Sequence, residues 1–254
     1  MSSAKEYLLK ENINRYFDLN TNQEFVEGVF DAVSGNLDIP FPPDFEDLAR
    51  LHQLIRKRKP FTVLEFGVGL SSLVIADALA KNKAEFLALK QKVEIRNRFM
   101  FQLFSVDTDG KWLEKAKSNI PNSLKEIINY HSSSVSIGTF NGRLCHFYDS
   151  LPDIVPDFIY LDGPNPKDVK GDINGLSFKC DERTVMSGDL LRMESIFLPG
   201  TFILIDGRTN NSRFLANNFQ RKFDYYWDKE NDISTFELVE DRLGKYNILG
   251  SDFF

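Results

Sequence analysis

The sequence predicts an α/β protein built on an open, mostly parallel sheet, and three observations carry that prediction. From residue 61 onward, apolar strand-like runs alternate with helical stretches, the pattern of a parallel sheet buried between helix layers. The first run, Val63-Leu-Glu-Phe-Gly-Val-Gly-Leu-Ser-Ser72, passes from an apolar strand through an acid and two glycines into a helix start. Glycines there let the backbone approach a ligand closely, and free helix N–H groups face it. Later runs close on Asp107, Asp162 and Asp206, at strand C-terminal ends, where such a sheet keeps its binding crevice.

Element by element, residues 4–34 read as helical, with Tyr7, Leu8, Ile13, Tyr16 and Phe17 and then Phe25, Val26 and Phe30 recurring at helical spacing until Gly35-Asn36. The proline-aromatic run Asp38-Ile-Pro-Phe-Pro-Pro-Asp-Phe cannot continue a helix. A second helix is expected over 48–58 with Leu51, Leu54 and Ile55 inward. Residues 1–60 thus form an N-terminal helical cap, and 61–254 form the main domain. Strands are expected at 62–65, 101–107, 127–131, 158–162, 201–206, 223–227 and 235–239, the last two close enough to be antiparallel. The glycine turn and the second strand stand roughly twice as far apart as one crossover helix requires. Residues 84–96, with Phe86, Leu89 and Val93 among Lys and Glu, fill that gap as an extra amphipathic helix. It packs on the core or serves as a homodimer contact. Residues 134–140 and 143–148 alternate around Asn141-Gly142, which predicts an inserted β-hairpin.

A chain of 254 residues, 42% hydrophobic, can bury one good core. Its net charge of −6 argues against a nucleic-acid partner, and the basic run Arg56-Lys57-Arg58-Lys59 reads as a solvated helix end. No apolar run approaches the ~18 residues of a membrane span, and the N-terminus has no signal-peptide core. Cys145 and Cys180 are too few for a disulfide framework or a cysteine-rich metal site, so the reducing cytoplasm is the expected compartment. The 23 phenylalanines imply an aromatic core or pocket.

The spacing Glu65-x-Gly67-x-Gly69 resembles the first motif of the class I S-adenosylmethionine (SAM)-dependent methyltransferases. A dinucleotide dehydrogenase would carry a third glycine where Ser72 stands. The resemblance covers roughly residues 61–240, since glycine motif, second-strand acid and fourth-strand acid come in the family's order. It implies a Rossmann-like seven-stranded methyltransferase sheet with SAM as cofactor. Glu65, Gly67, Gly69, Ser71 and Ser72 would bind the cofactor at the turn, and Asp107 with Thr108 would take the ribose. Ser132 or Ser133 would reach the adenine, and Asp162, at the mouth of the crevice, would also contact the cofactor. Trp112 either flanks the adenine or packs in the core. The pair Asp162 and Asp206 resembles the catechol O-methyltransferase-like branch, where such acids hold a divalent ion such as magnesium. Gly207 stands where that branch has an amide ligand, and Asn210 and Asn211 are out of register. A looser likeness, through Leu161-Asp-Gly-Pro and Ile205-Asp-Gly-Arg-Thr-Asn-Asn, is to bacterial methyltransferase-like proteins linked with surface-polysaccharide biosynthesis.

The activity implied is methyl transfer to oxygen on a small hydroxylated acceptor, such as a sugar or nucleotide-sugar. Asp162 would act as base, Asp206 would assist, and Arg208 would neutralise an acidic acceptor or sugar phosphate. An aspartate of ordinary pKa is a poor base for a sugar hydroxyl, so Asp162 needs a raised value or a metal. The polar stretch 165–189 and the Pro40-Phe41-Pro42-Pro43 segment are candidates for a substrate lid. Asp162-Gly-Pro-Asn lacks the second proline and the aromatic of nucleic-acid amino-methyltransferases. The rivals are a non-catalytic SAM- or nucleotide-binding protein on the same fold, a nucleotide-dependent oxidoreductase, and a set of merely solvated strand-end acids.

Overall fold

The structure, a computed structural model, describes residues 3–17, 19, 44–90, 93–180, 182–252 and 254. The expected helical positions Phe25, Val26 and Phe30 and the Pro40–Pro43 segment lie outside the described residues.

The N-terminal helix α1 spans Ser3–Lys10. A left-handed Asn12 (φ 58°) separates it from a short 3-10 turn, Ile13–Arg15. Helix α2, Phe45–Arg58, begins three residues before the expected start because Asp44 caps it, its carboxylate accepting the Glu46 and Asp47 amides. Strand β1 (Thr62–Phe66) then enters the sheet, followed by α3 (Leu70–Ala88), β2 (Gln102–Asp107), α4 (Gly110–Asn119) and β3 (Ile128–Ser132). The hairpin β4 (Val135–Phe140) and β5 (Arg143–Tyr148) precedes β6 (Phe158–Leu161). Helix α5 (Asp189–Met193), β7 (Phe202–Asp206), α6 (Thr209–Ala216), β8 (Phe223–Asp228) and β9 (Ile233–Leu238) complete the fold.

The main sheet runs β3-β2-β1-β6-β7-β9-β8, with β9 antiparallel to both neighbours. Counted within the sheet, the order is 3-2-1-4-5-7-6, the Rossmann-like methyltransferase sheet that the sequence resemblance implies. The order reverses between β1 and β6, so the crevice opens at their C-terminal ends. Strand alternation divides the core: Leu64, Phe66, Val106, Ile159, Leu161, Ile203 and Ile205 face one way with Tyr148 of the hairpin. Val63, Leu103, Phe158, Phe202 and Leu204 face the other, against Leu51 and Ile55 of α2 and Ile75 and Leu79 of α3. Among the described residues, no helix is long and apolar enough to cross a membrane.

The hairpin forms where expected, with Asn141 and Gly142 both at positive φ (49° and 75°), as a type I′ turn requires. Two other expectations change. Among the described residues, the extra helix over 84–96 does not form as a separate element: α3 runs unbroken to Ala88, and Leu89 leaves it in extended conformation. No Gly or Pro interrupts 70–88, and buried Asn82 donates to the Ile55 carbonyl (3.0 Å), fastening the middle of α3 to α2. The polar stretch 165–189 is not a free loop. It lies along both edges of the hairpin, through Lys170 paired with Val135 and Ile137 and through His146 paired with Met186 and Gly188.

Candidate functional site

The site is built on two turns that touch. Gly67 takes φ +96°, and a Cβ on it would stand 3.3 Å from the Asp162 carbonyl carbon and the Gly163 nitrogen. A Cβ on Gly163 would stand 2.8 Å from the Gly67 nitrogen. The turns after β1 and β6 therefore cross backbone to backbone at the point where the sheet order reverses. Gly163, as Gly67's partner, escapes a sequence reading because the two are close only in space. Among the described residues, a Cβ on Gly69 would come within 4 Å of Ser71 Oγ alone (3.9 Å), so they leave this edge of the turn clear.

Glu65 is placed differently from the expectation. It is fully buried on the α3 side of the sheet and accepts hydroxyls from Ser71 (2.6 Å), Ser72 (2.6 Å) and Ser105 (2.5 Å). Burial pushes its carboxyl up to about 7 against these three hydrogen bonds. Glu65 and the equally buried Ser72 thus brace the turn from behind, with Ser72 Oγ also taking the Gly69 amide (3.3 Å).

Asp107 closes the other side of the turn. Its Oδ2 accepts the Val68 amide (2.9 Å) and its Oδ1 the Asp109 amide (3.0 Å), so the end of β2 is stitched to the glycine turn. Burial raises its carboxyl above the ordinary aspartate value, opposed by these amides. Each oxygen keeps a further lone pair for a diol. Trp112 Nε1 donates to the Val68 carbonyl (2.5 Å), which fixes the indole beside the turn. Thr108 donates to Asp168 (2.8 Å). Ser133 is buried and its hydroxyl takes the Ser150 amide (3.0 Å), so it holds the following loop.

Across the crevice stand the acids of β6 and β7. The Asp162 side chain is half exposed (52%), with Arg208 Nη2 3.7 Å from its Oδ1. Loss of solvent raises its carboxyl and Arg208 opposes the rise. Arg208 also donates to the Asp162 carbonyl and to the Pro164 carbonyl (3.2 Å), so its guanidinium is docked on the β6 turn. Asp206 accepts the Tyr160 hydroxyl (2.9 Å), and its carboxyl is pushed up to about 6 by burial and by the charges of Asp47 and Asp162. Asp47, in the first turn of α2 and paired with Arg50, is an acid of this crevice that sequence reasoning missed. Only its place in a distant helix brings it here.

These residues do not fit a divalent ion. Gly207 supplies no side chain, Asp206 is engaged by Tyr160, and Asn211 gives its Oδ1 to the Ser187 amide (2.9 Å). Among the described residues, no three His, Cys, Asp or Glu side chains come together as a metal group. Among the described residues, the expectation of a metal at Asp162 and Asp206 thus finds no third His, Cys, Asp or Glu ligand.

No protein-family model matches the chain, and no curated protein matches it in sequence. Among solved structures, the chain is similar to the SAM-bound O-methyltransferase TomG from Streptomyces achromogenes (15% identity, 93% of this chain and 90% of that chain, TM-score 0.43). It is also similar to the S-adenosylhomocysteine-bound methyltransferase PaMTH1 from Podospora anserina (12%, 78% and 80%, TM-score 0.45). A third is the O-methyltransferase from Bacillus cereus in complex with S-adenosylhomocysteine (13%, 93% and 90%, TM-score 0.40). At such identities, nothing about substrate passes from those proteins to this chain.

Proposed function

We propose that the protein binds SAM across the glycine turn and Asp107 and catalyses methyl transfer to an oxygen of a small hydroxylated acceptor, such as a sugar or nucleotide-sugar. One observation carries the reading: Asp107 is tied to the Val68 amide of an open-sided glycine turn, with Asp162 directly across the point where the sheet order reverses. Gly67, Gly69 and Ser71 would line the cofactor, and Glu65 and Ser72 would keep that turn in shape. SAM, when bound, supplies a methyl group already activated on a sulfonium. The protein then has to align the acceptor and take up the hydroxyl proton. Asp162 would accept that proton, its raised value making it a better base than a solvated aspartate. Arg208 sets the position of the β6 turn, and Asp206 with Tyr160 completes the wall beside it.

Replacing Asp162 by Asn tests the assignment. Turnover should fall at least ~100-fold, the scale of a lost general base, while S-adenosylhomocysteine affinity stays within about threefold. Equal losses in both would make Asp162 a pocket residue. Cofactor binding without turnover across neutral and acidic sugars and nucleotide-sugars would favour the non-catalytic binding protein.

A further inference from the structure

Nine buried side-chain nitrogen and oxygen atoms lack a hydrogen-bond partner among the described residues. Seven of them belong to His146 (both ring nitrogens), Tyr148, Lys167, Ser187, Arg208 and Asn211. His146, Ser187 and Asn211 are 0% exposed and Tyr148 only 5%. Folded proteins leave few buried polar atoms unmatched, and each one needs an explanation. Here they gather beside the crevice.

The segments that bring them together are continuous with the site. Strand β5 presents His146 and Tyr148 two residues apart, hence on one face of the hairpin. Ser187 bridges to His146 along the hairpin edge. Asn211, in the first turn of α6, gives its oxygen to the Ser187 amide and leaves its Nδ2 unmatched. Arg208, at the start of the same helix, spends its outer nitrogens on the Asp162 and Pro164 carbonyls and leaves Nε unmatched. Lys167 lies in the 3-10 turn Pro166–Asp168 that leaves the β6 end. The charge of Arg208 acts on both His146 and Tyr148, and Tyr148 also feels the carboxylates of Asp107, Asp189 and Asp168.

The unmatched set is made mostly of donors: an ammonium, a guanidinium N–H, an amide N–H and two hydroxyls. Burial and the nearby Arg208 hold His146 down at about 3, so its ring is neutral and offers one donor and one acceptor. Donors of this number, two of them cationic, match acceptor-rich oxygens better than a neutral polyol. We infer that these six side chains form the acceptor subsite, and that it takes an oxyanion, a carboxylate or a phosphate monoester, carried by a hydroxylated molecule whose reacting hydroxyl lies at Asp162. This rests on the methyltransferase reading above.

The test is calorimetric titration of the full chain, saturated with S-adenosylhomocysteine, with glucuronate, glucose 1-phosphate and neutral glucose. One of the two anions should bind at least tenfold more tightly than glucose, and which one does so identifies the oxyanion. Lys167→Met keeps the half-buried stem and removes the charge. Asn211→Asp keeps the acceptor for the Ser187 amide and removes the unmatched donors. Each should weaken the anion at least tenfold while leaving S-adenosylhomocysteine affinity unchanged. Anions that bind no better than glucose would overturn the inference on the wild-type protein alone, with the methyltransferase reading intact if the cofactor product binds. Folded variants that bind the anion as the wild type does would overturn it equally. Anion binding in a protein that takes no S-adenosylhomocysteine would keep the oxyanion subsite and remove the methyltransferase reading.

Discussion

Two buried polar clusters in this molecule use similar side chains to opposite ends. On the outer face of α3, Asp77 is 1% exposed and accepts from Arg15 (2.7 Å), Tyr16 (2.8 Å), His52 (3.1 Å) and Lys81 (2.8 Å). Tyr7 in turn meets the second nitrogen of His52 (2.7 Å). Burial alone would raise the Asp77 carboxyl, but the His52, Lys81 and Tyr16 hydrogen bonds hold it well below the ordinary range. That cluster is closed, and it staples residues 7–16 to α2 and α3. Beside the crevice, His146, Tyr148, Ser187 and Asn211 are as deeply buried, yet each keeps at least one side-chain polar atom without a partner. We read the unmatched cluster as a binding site and the matched one as a clamp.

Opening the closed cluster should give the largest effect. Asp77→Ala removes the common acceptor of three basic groups and should cost about 3 kcal/mol of stability by chemical denaturation, the scale of breaking a buried ion pair. Because Asp77 lies about two turns into α3 and faces the N-terminal segment, S-adenosylhomocysteine affinity of the folded variant should stay within twofold. A loss below about 1 kcal/mol would mean that the partners simply hydrate, as surface pairs do.

The next effect comes from Glu65, which is closed like Asp77 but lacks a cation. Its carboxyl stands at about 7 in the fold against an ordinary 4.5, so the folded state binds its proton more tightly than the unfolded chain. The stabilisation from that proton is fully present below pH 4.5 and is lost as pH rises through about 7. A shift of this size corresponds to on the order of 3 kcal/mol. Glu65→Gln should therefore flatten the fall in stability between pH 5 and 8 measured by urea denaturation. Asp157 and Asp189, raised by burial to about 6 and about 7, slope the same way and will leave part of the fall in place. An unchanged profile would show that Glu65 is not the titrating group.

How much of this was legible in the sequence follows the same division. Strand ends, the Asn141-Gly142 hairpin and the glycine turn carry their geometry locally, in φ preferences and in alternation, and the structure has them where expected. The acids of the crevice were visible because an apolar run stopping at an acid is a local pattern. What the sequence hid is contact between distant segments: Gly163 against Gly67, Asp47 arriving from α2, and the unmatched groups at 146, 148, 167, 187, 208 and 211. The inward turn of Glu65 was hidden too, since it depends on Ser105 of the neighbouring strand. The extra helix over 84–96 misled as well. Of its apolar positions, Phe86 belongs to the last turn of α3, whereas Leu89 and Val93 lie beyond the helix end.

The smallest expected change tests the central claim most directly. Purified protein and Asp107→Ala would be titrated with S-adenosylhomocysteine by calorimetry. Micromolar binding that weakens at least tenfold in the variant, about 1.4 kcal/mol, is the expected result. Because Asp107 also holds the Val68 and Asp109 amides, the apo variant should melt a few degrees lower while remaining folded. No binding by the wild type at millimolar ligand, or equal affinity in the two proteins, would contradict a cofactor site at Asp107 and the glycine turn.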